Sequence, residues 1–284
     1  MPNIITDIRQ RLEPLYGKEE ASALTRIICC EMLGQAPTDY FLGKDIALSA
    51  NQKTFLQNII SRLGEFEPIQ YIQQQVPYLG RTFFVDPGVL IPRPETAELT
   101  ERVIRKASPQ STILDIGTGS GCIAISLSLE LPQSRVYACD ISEEALTIAQ
   151  TNNKRLKGKV EFFQADILSY QPKDEDYNRY DVIVSNPPYV TQAEASMMEP
   201  NVLRYEPHTA LFVPNDDPLL FYRQIAELAK VMLKPGGLLA FEINRTFGAE
   251  TKQLLEEKGY QKIEVEQDIS KNDRFVFGKI TINR

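Results

Sequence analysis

One histidine, His208, is the entire histidine complement of this 284-residue chain. The four cysteines, Cys29, Cys30, Cys122 and Cys139, form no C-x-x-C pair and have little imidazole to join them. That argues against a zinc site and for reduced thiols in or near a core, as in a reducing cytoplasm. No apolar h-region follows Met1 and no apolar run approaches a membrane span, which predicts a cytosolic protein. Basic excess is also missing. The net charge is −7, whereas a protein that wraps a phosphate backbone carries a basic face. The balance leans toward a small-molecule or protein partner. There is no G-x-x-x-x-G-K-[ST] phosphate loop, no internal repeat and no low-complexity tract.

What is present is an ordinary globular composition, 43% hydrophobic and 24% charged. A chain of this length suits one large domain and one small one, with a core that needs no disulfides. The first seventy or so residues read as helices. Ile4, Ile5, Ile8, Leu12 and Leu15 recur at helical spacing, then Leu24, Ile27, Ile28 and Leu33, then Phe55, Leu56, Ile59, Ile60 and Leu63. Gly34, Pro37 and Gly64 punctuate them, and the amphipathic stripes predict a small bundle. The segment "VPYLGRTFFVDPGVLIPRPET" reads as short strands and turns, a hairpin linker. The expected division is 1–73 helical, 74–95 linker and 96–284 a second domain.

From Pro94, which sits in the first turn of a helix, strands and helices alternate. Strands are expected at 112–116, 135–140, 160–166, 180–186 and 238–243, followed by a closely joined antiparallel pair near the C-terminus. The fold class is therefore α/β: seven strands, mostly parallel, helices on both faces and a closing hairpin. Ligands of such sheets bind beyond the strand C-termini at the topological switch point.

The first of these strands runs into "ILDIGTGSG". Gly117, Gly119 and Gly121 allow a sharp turn and close approach to a ligand. The spacing is G-x-G-x-G rather than the dinucleotide G-x-G-x-x-G, which favours a nucleoside without phosphates. Asp140 ends the next strand about twenty residues on, a spacing that places an acid on ribose hydroxyls. Asp166, at the third strand end, reads either as a contact to an adenine edge or as a helix N-cap.

The fourth strand ends in "VSNPPYV". Asn186 supplies a side-chain oxygen, and Pro187 a carbonyl in a stiffened backbone. Two acceptors out of plane can hold the hydrogens of a flat –NH₂ group and free its lone pair. The same acceptors stabilise the positive charge that develops on nitrogen. Tyr189 offers a face to the planar group, and Pro188 stiffens the loop with Pro187.

The glycine loop, the downstream acid and the strand pattern resemble the class I S-adenosylmethionine-dependent methyltransferases, whose sheet has a reversed last strand. The resemblance implies that Gly117, Thr118, Gly119, Ser120 and Gly121 pass under the methionine part of the cofactor. Asp140 would hold the ribose, with Ile141 beside it, and Asp166 and Ile167 would meet the adenine. Asn186 would border the methyl group. Further segments resemble one family, the release factor glutamine methyltransferases (PrmC, also called HemK). They are "EPIQYI", "LIPRPETAEL", "LDIGTGSGCIA", "VSNPPY", "RYEPHTAL", "NDDPLLFYRQI" and "NDRFVFG", in order from about residue 65 onward. The helical front domain also fits that family.

This resemblance implies methylation of the side-chain amide nitrogen of the glutamine in the Gly-Gly-Gln loop of bacterial peptide chain release factors. Asn186 and Pro187 would hold the amide and Tyr189 would pack on it. Arg93 and Glu95 would shape the cleft or touch the factor; the structural alternative for them is a domain-linking ion pair. Glu206 and His208 lie after the clamp, His208 reading as a surface or loop-packing residue. No metal is implied, and a monomer is expected. The chain departs from the family in having Ile167 where an aromatic is common. It also lacks glycine and glutamine after the fifth strand in "FEINRTFG", and lacks a glycine near Pro218. The same clamp serves enzymes acting on amino groups of DNA or RNA and on ribosomal-protein glutamine, and a non-catalytic binding module is a third alternative.

Overall fold

The computed structural model describes residues 3–280. Met1, Pro2 and residues 281–284, at the outer ends of the expected domains and of the last strand, lie outside the described residues. Two compact units are found. One runs to Gln74 and takes in Glu199–Tyr205; the other holds Gln75–Met198 and everything from Glu206 onward.

The first unit is helical. Helix α1 (Ile4–Arg26) is capped by the Asn3 side chain, which accepts from Ile5 N–H. Gly17 breaks it with φ 73° and ψ 171°, so the two expected stripes are two helical pieces across a kink. A π-helical turn follows at Ile27–Met32, then α2 (Pro37–Phe41), α3 (Ala50–Gly64) and α4 (Ile69–Gln73). Ser49 and Gln52 form a capping box at the start of α3. Ile8, Leu12, Leu24, Ile28, Ile59 and Leu63 make the core. Leu15 and Phe55, expected in the stripes, are exposed. Leu15 lies between Pro14, inside the helix, and the Gly17 break. Tyr205 donates its hydroxyl to the Glu65 carbonyl at 3.0 Å, and the Arg204 guanidinium lies over the Phe66 ring.

The second unit opens with the hairpin β1 (Val76–Tyr78) and β2 (Arg81–Phe83), paired antiparallel. Then come α5 (Pro94–Lys106), β3 (Thr112–Ile116), α6 (Cys122–Glu130), β4 (Arg135–Asp140), α7 (Glu143–Leu156), β5 (Val160–Gln164) and β6 (Tyr180–Ser185). The chain continues through β7 (Val190–Thr191), α8 (Pro200–Tyr205, part of the first unit) and β8 (Phe212–Val213). It ends with α9 (Leu220–Met232), β9 (Leu233–Glu242), α10 (Gly248–Glu257), β10 (Tyr260–Gln267) and β11 (Asp273–Ile280).

The large sheet has seven strands in the order β10-β11-β9-β6-β3-β4-β5. The pairs from β5 to β9 are parallel, and β11 runs antiparallel to both β9 and β10. The reversed last strand is as expected. Strand β3 is buried along its whole length, as an apolar central strand covered on both faces must be. The chain steps from β3 to β4 on one side and returns to β6 on the other, so the switch point lies between β3 and β6. Helix α5 is held against β11, with Arg102 over the Phe275 ring at 4.1 Å and Lys106 over Phe277 at 4.5 Å.

Three strands, β5, β6 and β9, differ from their expected bounds. Strand β5 stops at Gln164 rather than Asp166, and β6 at Ser185. Strand β9 begins at Leu233, because Pro235-Gly236-Gly237 is absorbed as an irregularity in its pairing with β6. The parallel pair Val190–Phe212 and Thr191–Val213 was not expected; two-residue strands carry too little pattern to be read. Among the described residues, no helix is long and apolar enough to cross a membrane.

Candidate active site

Two loops leave the sheet on either side of the switch point. They follow β3 and β6, which are neighbours. Ser185 Oγ, fully buried at the end of β6, donates to the Ile116 carbonyl at the end of β3 at 2.7 Å. The residues immediately before the two loops are thereby bonded to each other.

The first loop is turned by its glycines. Gly117, Gly119 and Gly121 have φ of 73°, 54° and 80°. Gly117 and Thr118 both donate N–H to the Cys139 carbonyl, at 2.9 and 3.0 Å, which folds the loop back over the end of β4. A Cβ added at Gly117 or Gly119 would meet no atom within 4 Å, whereas one at Gly121 would come within 2.8 Å of Ile125 Cδ1 and 3.2 Å of Ala149 Cβ. The first two glycines serve the turn, and the third serves close packing of α6 on α7.

Thr118 and Ser120 are buried. Thr118 Oγ1 donates to Asp115 Oδ2 at 2.7 Å; Asp115 Oδ1 and Ser120 Oγ are buried without a protein partner. Burial pushes the Asp115 carboxyl up to about 7, against the bonds from Thr118 and the Ala124 backbone. Asn152, which sequence reading missed, holds the loop from behind. Its Nδ2 donates to the Ser120 and Phe84 carbonyls, each at 2.9 Å, and its Oδ1 accepts from Phe84 N–H.

Asp140 stands beside the loop. Its Oδ2 accepts Gly119 N–H at 2.9 Å and its Oδ1 accepts Ser142 N–H at 3.0 Å. Burial raises its pKa, opposed by those N–H groups. Ile141 is exposed beside it, and Ile167 is half-buried against the core. Asp166 binds its own turn, Oδ1 accepting Leu168 N–H and Oδ2 the Ser169 hydroxyl. No helix follows it, so it caps a turn and not a helix.

These features suit a nucleoside sulfonium. The loop can be approached closely at Gly117 and Gly119, Asp140 is an acceptor, and Asp115 Oδ1 and Ser120 Oγ are unpartnered polar atoms beneath the loop.

The second loop begins at Asn186. Asn186 Nδ2 donates to Thr96 Oγ1 at 3.0 Å, and Thr96 Oγ1 donates to Glu242 Oε2 at 2.7 Å. Among the described residues nothing donates to Asn186 Oδ1 or to the Pro187 carbonyl. Tyr189 donates its hydroxyl to Glu242 Oε1 at 3.0 Å, and burial together with Glu242 raises the phenol pKa strongly. Glu242 itself is buried at the end of β9, and burial pushes its carboxyl up to about 7. Pro188, half-buried, continues the loop between Pro187 and Tyr189. Asn244 Nδ2 donates to the Tyr189 carbonyl at 3.2 Å and to Glu194 Oε1 at 3.1 Å. The segment "FEINRTFG" has no glycine or glutamine directly after β9, and its Asn244 ties the end of β9 to the second loop.

Arg93 does not pair with Glu95. It binds Glu206, Nη2 to Oε1 at 2.6 Å, while Glu206 Oε2 accepts Ile91 N–H at 3.2 Å. Both residues lie in the second unit, so the ion pair that Arg93 makes is a bond within one unit and not a domain-linking pair. Burial raises the pKa of Glu242, and the charge of Glu95 adds a small push in the same direction. The His208 ring meets Phe212 edge-on at 5.3 Å, as a loop-packing residue does.

Two family profiles match: PrmC N-terminal domain over residues 3–73 and Methyltransferase small domain over residues 96–203. A release factor glutamine methyltransferase of Bacteroides thetaiotaomicron is 50% identical over 284 residues, 100% of both chains. The chain belongs to the release factor glutamine methyltransferase family. A member from Flavobacterium psychrophilum is 41% identical, covering 96% of this chain and 97% of its own. A methyltransferase of Pyrococcus furiosus shares the fold at 18% identity, with a TM-score of 0.52 over 82% of this chain and 100% of its own. This family member is thus a methyltransferase, with its glycine loop and its Asn-Pro-Pro-Tyr loop on adjacent strands.

Proposed function

We propose that the protein transfers a methyl group from S-adenosylmethionine to the side-chain amide nitrogen, N5, of the glutamine in the Gly-Gly-Gln motif of peptide chain release factors. The observation that carries this reading is the Asn186 amide. Its nitrogen is turned inward to Thr96, which leaves Oδ1 and the Pro187 carbonyl as two acceptors without a protein donor. A primary amide nitrogen has two hydrogens to offer such a pair.

S-adenosylmethionine, when bound, would supply a methyl group on a sulfonium: the nitrogen lone pair would bond to the methyl carbon as the carbon–sulfur bond breaks, and the neutral thioether would leave with the sulfur electron pair. Gly117, Thr118, Gly119, Ser120 and Gly121 take its methionine part, Asp140 its ribose, and Ile141, Asp166 and Ile167 its adenine. Asn186 Oδ1 and the Pro187 carbonyl hold the acceptor –NH₂ and stabilise the charge that develops on it. The proton leaves nitrogen for water after transfer, so no side-chain base is required. Tyr189 covers the planar amide, and Pro188 keeps the loop from yielding. Arg93 shapes the cleft through Glu206. The helical domain, 1–73, recognises the factor; 74–95 links it to the catalytic domain, 96–284. The enzyme acts as a monomer in the cytoplasm.

The test is mass spectrometry of a bacterial release factor incubated with the protein and S-adenosylmethionine. One added methyl on the Gly-Gly-Gln peptide, absent with Asn186→Ala, is expected. An unmodified factor, with cofactor binding intact, overturns the substrate assignment and directs the search to ribosomal-protein glutamine and then to nucleic-acid amino groups.

A further inference from the structure

Glu242 is a buried acid with no established task. Its side chain receives two hydroxyl groups and, among the described residues, no ion pair. The nearby guanidinium of Arg274 is spent on Asp268 and on the Ile243 carbonyl. Both Glu242 oxygens accept, Oε2 from Thr96 and Oε1 from Tyr189, and these two donations give the whole cluster a direction.

Thr96 has one hydroxyl hydrogen, and it points to Glu242 Oε2. Only lone pairs of Thr96 Oγ1 remain to face Asn186. Lone pairs can meet the –NH₂ half of the Asn186 amide and repel the oxygen half. Asn186 Nδ2 therefore turns inward, and Oδ1 is left for the acceptor. The other carboxylate oxygen receives the Tyr189 hydroxyl and sets that ring. Thr96 is itself fixed, since Tyr78 donates its hydroxyl to the Thr96 carbonyl at 2.9 Å and Thr100 Oγ1 lies 3.0 Å from the same oxygen.

We infer that Glu242 is the positioning residue of the transfer site: its carboxyl, acting through Thr96 and directly on Tyr189, decides which half of the Asn186 amide meets the substrate. The inference rests on the acceptor-clamp reading of Asn186. Glu242 and Thr96 touch neither substrate nor cofactor; they set the polarity of the group that does.

The experiment compares wild type with Thr96→Val, Thr96→Ser, Glu242→Gln and Asn186→Ala in the full chain. Turnover is measured with a release factor, cofactor affinity by calorimetry, and the Asn186 side-chain amide by proton–nitrogen spectra without substrate. Thr96→Val keeps the shape and removes the hydroxyl. It is expected to lower kcat about tenfold to a hundredfold, with KM and cofactor Kd changed by less than about threefold. Thr96→Ser restores the hydroxyl and is expected to recover turnover. Glu242→Gln presents a donor to one of the two hydroxyls and is expected to lower kcat as Thr96→Val does. In the spectra, the downfield Nδ2 proton of Asn186 that marks its bond to Thr96 is expected to be lost in Thr96→Val and kept in Thr96→Ser. Wild-type kcat in Thr96→Val, or unchanged Asn186 amide signals in it, overturns the inference. Loss of turnover in Asn186→Ala beside full turnover in Thr96→Val defeats the positioning role alone. Full turnover in Asn186→Ala defeats the clamp reading itself. The amide spectra read the bond whether or not the chosen factor is methylated.

Discussion

Gly119 donates its backbone N–H to Asp140 Oδ2 at 2.9 Å. The acid at the end of β4 thus braces the glycine loop after β3, and in the proposed function it also holds the cofactor ribose. Asp140→Ala removes both roles. Hydrogen bonds to a charged group contribute roughly 1.5–3 kcal/mol, so cofactor affinity is expected to fall about tenfold to a hundredfold by calorimetry. Melting temperature falls with it, because Gly119 N–H loses its acceptor. An unchanged cofactor Kd removes Asp140 from the cofactor site.

Asn186→Ala is expected to act on turnover instead. Loss of one oriented acceptor costs on the order of 10²–10³ in kcat. Cofactor Kd is expected to stay near wild type, since the glycine loop and Asp140 are untouched. If both variants lose cofactor affinity equally, the division of labour between the two loops fails.

Gly121→Ala tests packing beneath the glycine loop. Its φ of 80° disfavours any side chain, and the new Cβ would lie 2.8 Å from Ile125 Cδ1. Overpacking of this kind costs about 1–3 kcal/mol, to be read from denaturant unfolding. Ile125→Val removes the clashing methyl, so the double variant is expected to regain part of that loss. No recovery would mean that backbone strain, not the clash, dominates.

Asp115 and Glu242 make a pH prediction. Burial raises both pKa values to about 7, from 3.8 and 4.5. Each carboxyl keeps its proton in the folded chain at pH values where the unfolded chain has released it. The unfolded state then binds fewer protons, and stability falls as pH rises. The fall starts near the unfolded values and levels off above about 7. Carboxyls held low, such as Asp217 and Glu227, act in the opposite sense, but at the acid end. Melting temperature is therefore expected to drop between pH 5.5 and 7.5, and less steeply in Asp115→Asn. A rise over that interval would show that one or both acids are ionised throughout.

Much of the catalytic unit was legible before any coordinates. The strands at 112–116 and 135–140 were read at their observed bounds, because buried apolar runs ended by glycine or acid have few alternatives. The turns of the glycine loop and of the Asn-Pro-Pro-Tyr loop were legible for the same reason, since their residue types constrain the local backbone directly. Nothing in the local sequence marks the partner of Arg93, which is Glu206, more than a hundred residues away. Asn152, Ser185, Glu242 and Asn244 carried no signal. Each is an ordinary polar residue in a helix, strand or turn, and its partners come from other elements.

The sequence by itself determined what local chemistry can determine: where the chain turns, which segments alternate, and which loop offers acceptors on a stiff backbone. The tertiary structure decided which of those acceptors face outward. The direction of the Asn186 amide depends on Thr96, 90 positions away, and through it on Glu242, 146 positions from Thr96. A hydrogen bond's donor and acceptor ends are set by the partner it meets, and only the packing of α5 against β9 brings those partners together.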